Sequence, residues 1–166
     1  MLHILFGEDD FSIHEALESL KGLSGPQDIL DADVTWAQVS TLSPPQLQAL
    51  CSTVPFLSPK RMVVVEGLLA LFEGRRTSRR TRGTQNPSSL WLSIVEYIPA
   101  MPPSTDLVLL DETIGGNNVL LNHLAPLGQV KKFPLLSGAE LRRWIQERAA
   151  ERGCTVSREG VNLLAE

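Results

Sequence analysis

LHILFGEDDFSIHEALESLKGL, residues 2–23, decides the fold class. Residues 2–6 are a short apolar run that stops at Gly7, the pattern of a buried strand. Acids follow, and Asp9 or Asp10 can cap a helix that carries Ile13, Ala16, Leu17 and Leu20 on one face. A strand, one glycine and an amphipathic helix make the first step of a chain that alternates the two.

The alternation continues. DILDAD (28–33) reads as a second strand, and SPPQLQALCSTV (43–54) as a helix. Ser43 stands three before Gln46 as a capping-box pair, and prolines are tolerated in a first turn. Leu47, Leu50, Cys51 and Val54 form its apolar stripe. RMVVVEG (61–67) is a strand dense in β-branched residues. LWLSIVEYI (90–98) returns to helical spacing through Trp91, Ile94, Val95 and Ile98. DLVLLDE (106–112) is a buried strand, GGNNVLLNHLAPL a short helix and QVKKFP (129–134) a last strand. SGAELRRWIQERAAERG (137–153) is a helix opened by a Ser137/Glu140 capping box and stopped by Gly153, with Trp144 packing beside Leu141 and Ile145. Together these predict an α/β fold: a mostly parallel five-stranded sheet with helices on both faces. Residues 1–135 form that domain. Residues 136–166 begin a small helical domain, cut inside the helical pattern of Val161, Leu164 and Ala165.

Composition sets the outer limits. The chain has 166 residues, 43% hydrophobic and 20% charged, with a net charge of -4, so no overall basic field attracts nucleic acid. The charge is uneven: GRRTSRRTRGTQN holds five of the 15 basic residues and no acid. The two cysteines, Cys51 and Cys154, have no metal or redox spacing. The opening MLHILFGEDD has no basic segment ahead of a long apolar run, and no stretch approaches the roughly 20 apolar residues of a membrane span. A reduced, cytoplasmic protein without membrane contact is expected.

Several residues could carry chemistry. A hydrophobic strand ending in Asp111 and Glu112 is how P-loop ATPases place carboxylates near Mg²⁺ and the attacking water. The partner would be a glycine-rich loop ending in Lys-Ser/Thr after the first strand. That place reads FGEDDFSI, with one glycine and no lysine, and Glu8, Asp9 and Asp10 would repel a triphosphate. Asp111 and Glu112 therefore read as solvated acids at a strand end, and an active P-loop-type NTPase is the rival reading. Arg75, Arg76, Arg79, Arg80 and Arg82 read either as a solvated loop or as a phosphate-contacting arm of a nucleic-acid-binding module; no aromatic is interleaved to stack on bases. His3, His14 and His123 share no ligand spacing. No catalytic residue, cofactor or metal is expected.

TVPFLSP (53–59) stands apart. Phe56 and Leu57 lie between Pro55 and Pro59, which forbid a continuous helix or a central strand. The pair is either a staple that packs the preceding helix onto the sheet or an exposed wedge for a partner's pocket.

The ordered series FGEDDFSIHEAL, VPFLSPKRMVVVEG, DLVLLDE and VKKFPLLSGAELRRWIQERAAERG resembles the bacterial DNA polymerase III delta subunit, an AAA+-related subunit of the sliding-clamp loader. The resemblance runs over essentially the whole chain. It implies a degenerate nucleotide site, in keeping with the missing lysine and hydroxyl after Gly7. It also implies that Phe56 and Leu57 insert into a hydrophobic pocket of the ring-shaped beta sliding clamp and promote its opening during DNA replication. Arg61 beside the strand is structural on this reading. The other partners implied are the remaining clamp-loader subunits, joined through a C-terminal collar absent here, with DNA an indirect partner. ATP hydrolysis would belong to other subunits.

Overall fold

The computed structural model describes residues 1–24, 33–73 and 90–165. Strands β1 (Leu2–Gly7), β2 (Val34–Gln38), β3 (Arg61–Glu66), β4 (Thr105–Asp111) and β5 (Gln129–Phe133) form one sheet in the order β2-β3-β4-β1-β5. Every pairing is parallel, with Val34 beside Met62, Arg61 beside Thr105, Leu2 beside Leu107 and His3 beside Gln129. β4 therefore sits between β1 and β3 and is covered on both sides, which is why DLVLLD is nearly continuous in apolar residues.

Alternation along the strands sends side chains into two cores. Ile4, Phe6, Val63, Val65, Leu107 and Leu109 face α2 (Pro44–Ser52), α3 (Ser93–Tyr97) and α4 (Val119–Leu124), meeting Leu47, Cys51, Ile94 and Leu120. Leu5, Met62, Val64 and Val108 face α1 (Asp10–Ser24), meeting Leu17, Ile13, Ala16 and Leu20. The α/β class, the five-stranded sheet and the helices on both faces stand as expected from sequence; the sheet is wholly parallel among the described residues.

Local departures have local causes. Among the described residues the second strand is Val34–Gln38; of the expected 28–33, residues 28–32 lie outside the described residues, and Asp33 is a turn residue whose carboxylate is taken up by amides of another segment. The helix opened by Ser43 keeps its cap, because Gln46 Oε1 accepts from the Ser43 amide at 2.9 Å and from its hydroxyl at 2.7 Å. It stops at Ser52, however. Thr53 is already extended, and Pro55 bars Val54 from continuing the helix, so Val54 leaves the stripe and stands in water. The segment 90–98 is α-helical over Ser93–Tyr97 and tightens into a 3₁₀ turn at Ile98–Ala100, where Pro99 removes a donor.

The chain divides into two compact units, Met1–Phe133 and Pro134–Glu166. The second holds α5 (Gly138–Glu151) and α6 (Arg158–Leu164). The Ser137/Glu140 capping box does not form: Ser137 makes no side-chain cap bond, and Gly138 at φ 55° bends the entry away from ordinary helical geometry. The other end is as expected. Gly153 at φ 71° lets the Cys154 amide reach Ala149 O at 2.8 Å and its own amide reach Ala150 O at 3.0 Å, a Schellman closure. Ser157 caps α6 by accepting from the Gly160 amide at 3.1 Å. Trp144 is half-buried, with the Arg148 guanidinium 5.5 Å from its ring centre.

Candidate docking loop

Residues 53–60 join α2 to β3 and lie at the N-terminal ends of β2 and β3, beside Asp33. Phe56 is 84% exposed and Leu57 58%, and Val54 beside them is 79% exposed. The staple reading fails here, because neither Phe56 nor Leu57 packs into the domain's core. Three large apolar side chains in four residues are presented to water.

The backbone beneath them is anchored. Asp33, only 1% exposed, accepts from the Phe56 amide at 2.7 Å through Oδ1. Its Oδ2 accepts from the Leu57 and Ser58 amides at 2.8 Å each. The Ser58 hydroxyl lies 2.7 Å from Asp33 Oδ2 and 2.6 Å from the Lys60 carbonyl. The Phe56 amide first, then the Ser58 hydroxyl and the other two amides, hold the Asp33 carboxyl far below the usual carboxylate range, against the opposing effect of burial. Further on, Lys60 pairs with the buried Asp106 at 3.0 Å, and Arg61 donates to Thr35 Oγ1 at 2.8 Å, tying β3 to β2. Sequence reading missed Asp33. Its signal is tertiary: parallel pairing sets Val34 beside Met62, so the residue before β2 meets the segment before β3.

At the C-terminal ends of β2, β3 and β4 lies a cleft of about 550 Å³ lined by Asp10, Glu66, Asp111, Glu112, Ser40 and Ala70, among others. Ligands of open α/β sheets usually bind at such strand ends. Here Asp111 corrects the expectation of a solvated acid. It is buried and accepts from the Leu69 and Ala70 amides at 2.9 and 3.0 Å, while Glu112 remains exposed. Burial is the main cause that pushes the Asp111 carboxyl up to about 6; the two amides oppose it, and Glu73 and Glu112 add to it. The turn after β1 is also committed. The amides of Glu8 and Asp9 both donate to Phe133 O, at 2.9 and 3.2 Å, and Asp9 caps α1 by accepting from the Ser12 amide at 3.0 Å. A phosphate cradle would need those amides free. Asn118, also unforeseen, accepts from the Leu121 amide to cap α4 and donates to Leu69 O and Glu73 Oε1, both at 2.8 Å.

His3 is buried in β1, and burial first of all lowers its pKa; His14 is exposed on α1. Arg75, Arg76, Arg79, Arg80 and Arg82 lie outside the described residues. Among the described residues no group of three His, Cys, Asp or Glu side chains could hold a metal ion, and no helix is long and apolar enough to cross a membrane.

No family model and no curated protein matches the chain by sequence. Solved structures match it by fold. The Bacillus subtilis DNA clamp loader delta protein superposes with a TM-score of 0.72 at 19% identity, over 98% of this chain and 47% of that one. A chain of the HORMA:CdnC:Trip13 complex from Escherichia coli MS115-1 superposes with a TM-score of 0.58 at 11% identity, over 99% of this chain and 57% of that one. The chain thus spans about half the length of the Bacillus clamp loader protein, and what it shares with that protein is the fold.

Proposed function

We propose that this chain is part of a clamp-loader delta-type subunit, and that it docks on a ring-shaped sliding clamp by inserting Phe56 and Leu57 into an apolar pocket. The observation that carries the reading is the exposure of this pair on a loop whose backbone is hydrogen-bonded from beneath. The likeness of fold to the Bacillus clamp loader delta protein supports it. The second unit, Pro134–Glu166, would then belong to a helical lid domain, and other loader subunits would be assembly partners.

The role is mechanical. Docking near a protomer interface biases the clamp towards an open ring only by binding that state more tightly than the closed one. The NTPase reading is opposed by the turn after β1, whose amides are already spent on Phe133 O.

Each side chain contributes about 1.5–3 kcal/mol if fully buried in the pocket. Phe56→Ala with Leu57→Ala should therefore weaken clamp binding by at least about 100-fold, equal to about 2.7 kcal/mol. Calorimetry with the sliding clamp of the same organism measures this, with circular dichroism as the check on folding. Unchanged affinity refutes the assignment.

A further inference from the structure

We propose that Asp33 is the positioning residue of the docking loop: its buried carboxylate gathers the amides of Phe56, Leu57 and Ser58 and so holds the Phe-Leu pair outward, in the form a partner's pocket receives. This deepens the docking reading above and rests on it for its partner.

The reasoning starts from the loop's own preference. A Phe-Leu pair in a free loop would fold back onto the nearest apolar surface, because burial of apolar area is favourable and non-directional. Something must hold it off. Three successive N–H groups that converge on one carboxylate form a concave backbone nest. In this loop the anion of the nest is the chain's own side chain, reached from 23 to 25 residues away. With the amides aimed inward at Asp33, the side chains of Phe56 and Leu57 are left on the solvent side, as their exposure records. Pro55 and Pro59 restrict the backbone at either end, and the Ser58 hydroxyl and the Lys60–Asp106 pair fasten the exit. A loop ordered before encounter loses less entropy on binding, so the carboxylate acts on affinity without touching the partner.

A buried carboxylate could instead serve only to keep the domain folded. Asp33→Asn and Asp33→Ala in the full chain separate the two roles. Amide hydrogen exchange is followed on the free protein, and affinity for the sliding clamp by calorimetry. The expected result is loss of protection at Phe56, Leu57 and Ser58, with Val63, Val64 and Val65 of β3 still protected, and a 10- to 100-fold loss of clamp affinity. In the Phe56→Ala, Leu57→Ala background, Asp33→Asn should cost almost nothing more, since nothing remains to be positioned. Wild-type affinity in Asp33→Asn overturns the proposal. So does protection of the three amides persisting in Asp33→Ala, or exchange at Val63, Val64 and Val65 rising in both variants by as much as at the three loop amides. A wild-type chain that fails to bind the clamp refutes the docking reading instead, and the exchange measurement still decides whether Asp33 orders the loop.

Discussion

An exposed phenylalanine costs the fold almost nothing, since its ring is as wet in the unfolded chain as in the folded one; its cost is paid in stickiness. Phe56 and Leu57 should therefore be nearly silent in a thermal melt. Replacing both by alanine is expected to shift Tm by no more than about 2 °C, corresponding to at most about 0.5 kcal/mol for a surface change. A drop of 10 °C would mean that they pack in the domain after all. The chemistry of TVPFLSP was half legible in sequence. Its prolines exclude regular structure, and that much is local. Whether its apolar pair faces the core or the solvent depends on Asp33, and nothing in the loop itself announces that carboxylate.

At the scale of elements, the strands of the sheet's interior were readable because burial on both faces leaves long apolar runs in β1, β3 and β4. The edge strand β2 was not. VTWAQ carries an ordinary mixture of residues, and DILDAD just before it offers an equally plausible short apolar pattern. Caps behaved unevenly for a similar reason. Ser43 and Ser137 are both extended, but the first turn after Ser43 is regular and Gln46 meets it, whereas Gly138 at φ 55° turns the entry to α5 and leaves Ser137 without its bond. The junction of β1 and α1 is the tightest. A Cβ on Gly7 would stand 1.9 Å from the Phe133 carbonyl oxygen, at a backbone φ of 152° that side chains avoid. Gly7→Ala should cost about 2–4 kcal/mol, measurable by urea denaturation, because both the clash and the strain must be relieved by moving β5. A cost below about 0.5 kcal/mol would show that the junction gives way freely.

For the whole molecule, two buried carboxyls set opposite pH dependences. Asp33 takes up its proton far less readily folded than unfolded, so its stabilisation is present above the ordinary carboxylate value of 3.8 and lost only as the pH falls below that value towards its folded pKa. Asp111 is pushed up to about 6 from 3.8. Its contribution is complete below 3.8 and is lost as pH rises through about 6, worth up to about 3 kcal/mol. Urea midpoints are therefore expected to fall as pH rises from 4 to about 7, and Asp111→Asn should flatten that slope. A slope that persists in Asp111→Asn assigns the effect to other groups.

What the sequence by itself determined is the alternation of strand and helix, the two-sided burial of the central strands and the failure of FGEDDFSI to offer a glycine-lysine phosphate loop. These follow from periodicity and residue type, which act over a few neighbours. The tertiary structure alone decided that Asp111 is buried beneath Leu69 and Ala70, and that Asp33 supports the outward pair of Phe56 and Leu57. Both are contacts between segments far apart in the chain, brought together by parallel pairing of strands, and the register of that pairing is a property of the assembled sheet rather than of any one segment.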